Sequence, residues 1–402
     1  MLKLGSLSLR SRVLLAPLEG VSDCGFRAVC YGNGAGLTFT EMVRASALGR
    51  GNAAAAALID THDSTTLTGV QLLASTPDEL RRALDYLSKG AKGAFPHWAN
   101  IVAIDLNFGC PSPAVIRDGA GPALLHRRAR LAALFSALAR WRDEGTVDCA
   151  LRVKAVGVKL RLGLNQREAH QGVFVDAARA AADAGLDWVT LHARHAGQKS
   201  SDAPDWRAFG TVSKVLDRGG CSSSSSSHRT KFFANGDITN GEDGDKLISS
   251  GVCDGVMLAR AAIRNPWIFR NFANVGEVGR REVIAPPLGP TLRPSSLSSS
   301  PPSSLPSLLP SSSSVSPQTT TKASTFETAS FKPSFEDVTV ASQEWARLSA
   351  LTPGGAREKH VDFNKSLWAR LLREAGGGGG SESTFLGSNG VGAIFPRNEH
   401  LS

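Results

Sequence analysis

Cys110 stands in Asn107-Phe108-Gly109-Cys110-Pro111, and that setting suits acid chemistry. An unperturbed thiol, with a pKa near ~8.5, is mostly protonated at neutral pH yet able to release its proton. Gly109 lets the loop pass close to a ligand, and Pro111 stiffens the turn that follows. The commoner fate of a cysteine is burial as a small hydrophobe, which is assigned to Cys24, Cys30, Cys149, Cys221 and Cys253. With no CxxC pair among the six, neither a disulfide framework nor a metal site is expected.

Lys159 closes an apolar run, and a cation at a strand end in a dry pocket can stabilise a developing anion. The bland alternative, a lysine snorkelling to the surface, fits a buried strand poorly. Asn235-Gly236-Asp237 alone would be an ordinary turn. Paired with Ala259-Arg260 it reads as an anion site, because glycine permits close backbone approach and arginine offers a bidentate contact to phosphate.

These groups need strands to position them. Strand runs are expected at Val13 to Ala16, Gly36 to Thr40, Leu67 to Leu72, Ile101 to Asn107, Leu151 to Arg161, Trp188 to His192, Lys231 to Asn235 and Gly255 to Leu258. Helical segments separate most of them; one opens with Thr76-Pro77-Asp78-Glu79, a capping box with proline in the first turn. Eight strands alternating with helices over about 250 residues predict an α/β (β/α)8 TIM barrel, with a doubly wound sheet as the alternative. Polar and glycine-rich clusters follow each strand, where barrel enzymes assemble their sites.

Composition divides the 402 residues. Residues 1–272 read as the barrel, 273–340 as a Ser/Pro-rich disordered linker, 341–375 as a small helical region and 376–402 as a flexible tail. The serine run Ser222 to Ser227 reads as a loop expansion. Forty-five Lys plus Arg against 36 Asp plus Glu leave a net charge of +9, which permits a nucleic acid partner and equally fits a solvated basic face. No apolar stretch is long enough to span a bilayer, so no membrane partner is expected. The first strand lies so close to Met1 that no cleavable leader is expected either, and a cytoplasmic monomer is the expected form.

The ordered strand-end motifs resemble the tRNA-dihydrouridine synthase family over about residues 1–272. The most specific are Asn107-Phe-Gly-Cys-Pro111 with Gly119-Ala-Gly-Pro-Ala-Leu-Leu125, Lys159-Leu-Arg-Leu-Gly163 and Asn235-Gly-Asp-Ile238. The resemblance implies an NADPH-dependent flavoenzyme reducing tRNA uridines to 5,6-dihydrouridine through FMN. It implies Pro17, Leu18 and Glu19 along the flavin ring, Gln71 and Lys159 at its polar edge, and His192 lining the site. Asn235, Gly236, Asp237, Ala259 and Arg260 would hold the phosphate, Asn107 and Arg194 the uracil edge, and Cys110 would protonate uracil C5.

The target base would be extruded into the pocket, and Arg117, Arg127, Arg128 and Lys199 are candidate tRNA phosphate contacts, each of which also reads as a solvated charge. Family members carry Tyr and Gly where this chain has Lys199-Ser200-Ser201, Gly at Ala259 and Met at Leu18. The Ala356-Arg-Glu-Lys-His360 stretch resembles part of the family's tRNA-binding helical domain and reads equally as an amphipathic helix packed on the barrel. The competing functions are another FMN barrel oxidoreductase acting on a small pyrimidine or other unsaturated molecule, and a tRNA-binding protein without catalysis.

Overall fold

The computed structural model describes residues 1–59, 61, 65–90, 98, 100–144, 151, 153–218, 229–272, 333–350, 366–371 and 373–374. The serine run 222–227, Cys149, Cys221, residues 356–360, most of the Ser/Pro-rich stretch and the tail lie outside the described residues.

Leucines at positions 2, 4, 7 and 9 alternate with polar residues around Gly5-Ser6, and they form a hairpin of β1 (Leu2–Leu4) and β2 (Leu7–Leu9). Gly5 takes the positive φ, +53°, that a tight hairpin turn demands. The hairpin was not anticipated, although the two-residue alternation that encodes it is plain.

Eight parallel strands follow: β3 (Val13–Leu15), β4 (Thr38–Arg44), β5 (Thr68–Leu73), β6 (Ile101–Phe108), β7 (Ala155–Arg161), β8 (Trp188–His192), β9 (Lys231–Asn235) and β10 (Gly255–Leu258). They pair in the order β3-β10-β9-β8-β7-β6-β5-β4. The seam is bridged just before β4, where the Gly36 N–H donates to Val13 O at 2.8 Å and the Leu15 N–H to Leu37 O at 3.0 Å. The (β/α)8 barrel is therefore the fold. The helices that alternate with the strands include α1 (Cys24–Gly32), α2 (Ala45–Leu48), α3 (Ala53–Ala57), α4 (Pro77–Gly90), α5 (Pro113–Arg117) and α6 (Arg128–Glu144). Then come α7 (Gln166–Gln171), α8 (Val173–Asp183), α9 (Arg207–Arg218), α10 (Gly241–Ser249) and α11 (Arg260–Arg264). At the start of α4 the Glu79 N–H donates to Thr76 Oγ1 at 3.2 Å, and the Glu79 carboxylate returns to the Ser75 N–H at 2.9 Å.

Two strand bounds differ from expectation by four residues, the others by no more than two. β4 runs on to Arg44, so Thr40-Glu41-Met42-Val43 belongs to the strand and not to the loop after it. One extra residue is accommodated between Phe39 and Met42 relative to β5, a bulge that re-aims side chains near a barrel rim. β7 starts at Ala155, four residues later than the apolar run from Leu151 suggests.

The lower barrel is filled by Leu14, Phe39, Trp188, Phe233 and Met257, all fully buried. Room for the Trp188 indole comes from Gly157, where a Cβ would lie 2.2 Å from the ring. Above this apolar floor the inward positions turn polar, with Gln71, Asp105, Asn107, Lys159, Thr190 and His192 on successive strands.

A further helix, α12 (Phe335–Ala350), begins six residues before the apolar periodicity at 341–350. Its start is fixed by a reciprocal box in which the Ser334 N–H donates to the Asp337 carboxylate at 2.8 Å and the Asp337 N–H to Ser334 Oγ at 3.1 Å. Val338, Ser342 and Trp345, spaced by four and three, are buried where α12 packs along α1. The Trp345 indole N–H donates to Asp23 Oδ2 at 3.1 Å. Asp23 caps α1 through its other oxygen, which accepts from the Phe26 N–H at 2.8 Å. Residues 366–371 are helical, and Trp368 packs edge-on against Trp267 at 6.3 Å between ring centroids.

Candidate active site

The site is built at the C-terminal mouth of the barrel, strand by strand. After β3, Pro17 and Leu18 are half-buried and Glu19 is exposed on a loop folded back by Ser22, whose Oγ accepts from the Leu18 N–H at 3.0 Å. Glu41, brought inward beside the β4 bulge, accepts the Gly20 N–H at 2.8 Å and ties that loop to the next strand. Beside it, Thr40 Oγ1 accepts from the Gln71 N–H at 3.2 Å.

Gln71 on β5 and Asn107 on β6 are buried and joined directly, with Asn107 Nδ2 donating to Gln71 Oε1 at 2.7 Å. Gln71 Nε2 in turn donates to Asp105 Oδ2 at 2.6 Å. Asn107 Oδ1 accepts the backbone N–H groups of Gly109 at 3.0 Å and Cys110 at 2.9 Å. Asn107 thus serves the cysteine loop, with one amide hydrogen left over for a ligand. From β7, Arg161 Nε donates to Gly109 O at 2.6 Å and braces the same loop from the other side. Cys110 itself is half-buried. Burial pushes its thiol up from the ordinary value, and the charge of Glu19 adds to this against the Ser112 N–H, Arg161 and Arg44.

Four cations converge on His192: Lys159, Arg161, Arg194 and Arg260. Burial and then these charges hold the imidazole neutral. Lys159 is pulled down to about 8 by burial and by Arg161, with Asp105 opposing, and its ammonium has no hydrogen-bond partner among the described residues. Asp105, buried under the site, is raised to about 7 by burial, held back by the Gln71 hydrogen bond and by Lys159.

Arg194, only 2% exposed, is committed on three sides: to Asp202 O at 2.6 Å, to His192 Nε2 at 3.3 Å and to the Asp237 carboxylate. Asp237 also receives Arg260, whose other terminal nitrogen donates to Ser200 O at 2.9 Å. Burial works against the Asp237 charge, but the two arginines prevail and keep the carboxyl below its usual range. Asp237 has φ +50°, the one non-glycine residue at positive φ among those described. Gly236 beside it has φ +124°, and a Cβ there would come 3.0 Å from His192 Cδ2. Ala259 follows β10 and is the N-cap residue of α11, which starts at Arg260.

Over residues 14–288 the chain matches the family described as Dihydrouridine synthase (Dus). The chain belongs to that family. A protein of Treponema pallidum named "Probable tRNA-dihydrouridine synthase" is 31% identical over 267 residues, covering 66% of this chain and 72% of the relative. A Rickettsia prowazekii protein of the same name is 30% identical over 286 residues, covering 70% and 76%. A human protein whose name begins "tRNA-dihydrouridine(47) synthase" is 30% identical over 264 residues, and there this chain spans only 35% of the relative's length.

The sequence-derived candidates divide within this family barrel. Gln71, Asn107 and Cys110 form one hydrogen-bonded group, and Lys159, His192, Arg194, Asp237 and Arg260 share one electrostatic cluster. The Asn235 amide is turned into the barrel wall, donating to Met257 O at 2.7 Å. Arg117, Arg127, Arg128 and Lys199 are exposed, and Arg128 pairs with Asp176. Asp105 was missed, although a two-residue period places it on the Asn107 face of β6. Arg161, in the Lys159-Leu-Arg-Leu-Gly163 run, shares the Lys159 face by the same period. Among the described residues no helix is long and apolar enough to cross a membrane.

Proposed function

We propose that this chain reduces uridines of tRNA to 5,6-dihydrouridine, with FMN held at the barrel mouth and NADPH as reductant. The observation that carries the proposal is the surplus of positive charge converging on His192 beside a half-buried thiol. Lys159, Arg161, Arg194 and Arg260 face Asp237 and a carboxyl, Asp105, whose pKa lies near 7. Such a site is completed by an anionic ligand. An FMN fits these residues: the unpartnered Lys159 ammonium suits an electron-rich ring edge, and the Gly236 cradle with Arg260 suits a phosphate.

When bound, the flavin supplies the hydride that goes to uracil C6. The protein's residues do the rest. Arg260 and the Gly236 backbone bind the phosphate, while Lys159 and the remaining Gln71 amide hydrogen hold the polar ring edge. His192, kept neutral, adds a hydrogen-bonding wall without a further charge. Pro17, Leu18 and Glu19 of the β3 loop would line the ring. The spare Asn107 amide hydrogen orients the uracil edge of an extruded base, and Arg194, buried and held by Asp202, His192 and Asp237, keeps the wall of the site in place. Cys110 holds its proton because burial raises its pKa, and it delivers that proton to C5.

Residues 1–272 form the catalytic domain in this scheme, followed by the Ser/Pro-rich stretch up to α12 (Phe335–Ala350), the rest of the helical region and the tail. Exposed arginines around Arg117, Arg127 and Arg128, with Lys199, hold tRNA phosphates, and the enzyme works as a cytoplasmic monomer. The test is position-resolved mapping of dihydrouridine on unmodified tRNA incubated with protein, FMN and NADPH. Wild type forms product, and Cys110→Ala retains flavin and NADPH oxidation but forms little. Equal product from Cys110→Ala would refute the role of the thiol, and turnover of free pyrimidines without tRNA would favour a small-molecule reductase.

A further inference from the structure

The hydrogen bonds under the cysteine loop form a chain with a fixed direction. At its upper end are two backbone N–H groups, Gly109 and Cys110, which can only donate. They require an acceptor, so Asn107 must present Oδ1 upward and Nδ2 toward Gln71. Gln71 must then offer Oε1 to Asn107 and Nε2 to whatever lies below it. What lies below is the buried Asp105 carboxyl, whose Oδ2 accepts at 2.6 Å. A side-chain amide can turn over and exchange its donor for its acceptor, so two linked amides need an anchor at each end. Here the anchors are backbone donors above and a carboxyl acceptor below.

We propose that Asp105 is a positioning residue that sets the Cys110 loop by fixing the orientation of the Gln71 and Asn107 amides. In Asp105→Asn the lower anchor becomes an amide, able to donate as well as accept. Gln71 can then turn, present Nε2 to Asn107, and draw Asn107 Oδ1 away from the loop. The Gly109 and Cys110 N–H groups lose their acceptor, and the loop that keeps Cys110 half-buried loosens. The chain also makes a reverse prediction. In Asp105→Asn with Asn107→Asp, Asn at 105 donates to Gln71 Oε1, Gln71 Nε2 donates to the new carboxylate at 107, and that carboxylate accepts both loop N–H groups. Every bond is restored, with the polarity reversed in the two that Gln71 makes and unchanged in the two from the loop.

The inference bears on the proposed reaction, in which Cys110 delivers a proton, but its test does not depend on turnover. The full-length protein is alkylated with iodoacetamide at pH 8, and the modification of Cys110 is followed by peptide mass spectrometry. Asp105→Asn is expected to raise the Cys110 rate about tenfold, the scale of losing one to two net hydrogen bonds. The double variant is expected to return it to the wild-type rate. A wild-type rate in Asp105→Asn overturns the proposal. So does a double variant that fails to fold or that reacts as fast as the single one. If the single variant alone fails to fold, the double variant must fold and show the wild-type rate. In turnover, Asp105→Asn should lower kcat with KM for tRNA little changed. Should Cys110→Ala protein still make dihydrouridine, the reaction scheme falls while the alkylation result stands.

Discussion

Lys159 is expected to cost the folded protein stability, and the cost has a definite pH signature. Burial and Arg161 lower its pKa from 10.5 to about 8. At about 1.4 kcal/mol per tenfold, that gap amounts to about 3 kcal/mol of destabilisation wherever the ammonium is charged in both states. The sign follows from proton counting. Between pH 8 and 10.5 the unfolded chain holds the proton and the folded one does not, so this group's contribution to stability rises with pH across that window. Lys159→Met in the protein freed of flavin should therefore be more stable than wild type at pH 7. The gap is largest there, with about 3 kcal/mol as its ceiling because Asp105 loses a favourable neighbour. It closes as pH approaches 10.5. Urea unfolding of both proteins at pH 7, 8, 9 and 10 measures it, and a flavin titration in parallel should show weaker binding by the variant. A variant no more stable than wild type at pH 7, or a gap that does not shrink with pH, refutes the account of Lys159 as a strained cation kept for its ligand.

Because burial raises the Cys110 thiol above its ordinary pKa, dihydrouridine formation should persist to higher pH than a free thiol would allow and fall as pH rises through the raised value; a kcat/KM profile with its alkaline limb at or below an ordinary thiol contradicts this. Gly236→Ala meets both a φ of +124° and a 3.0 Å approach to His192, so flavin affinity should drop by the equivalent of about 1–3 kcal/mol in a fluorescence titration; unchanged affinity would place the flavin phosphate elsewhere. Asp187, 1% exposed at the N-terminal end of β8, accepts from the Val156 N–H at 2.6 Å and from Arg142 at 2.9 Å. Asp187→Ala should cost about 3 kcal/mol in urea unfolding and leave flavin binding intact, since the N-terminal face of a barrel serves stability; the opposite pattern would mean that the two ends of the barrel are coupled.

The barrel was legible because its strands are short apolar runs closed by polar clusters, and because eight such runs admit few arrangements. Where strand bounds slipped, a local device outweighed the apolar pattern. The bulge between Phe39 and Met42 kept Glu41 inside β4, and the Ser334–Asp337 box started α12 within a Ser-rich background that hides such signals. The site was legible as positions but not as partners. That Lys159 and His192 lie near the ends of neighbouring strands follows from their runs, and Asp105 sits on the Asn107 face by the two-residue period alone. That Gln71 reaches Asp105 with one end and Asn107 with the other depends on the register of β5 against β6, which aligns Gln71 with Asp105 only after a shift between Thr68 and Gly69. Composition carries no such register. The same holds for Arg194, whose run marks a planar cation near a ligand, whereas its three contacts come from the β8 and β9 loops folding over it. Residue type at a strand end thus tells which chemistry is available. The sheet's register decides which of those groups remain open to a ligand and which are occupied in holding the others still.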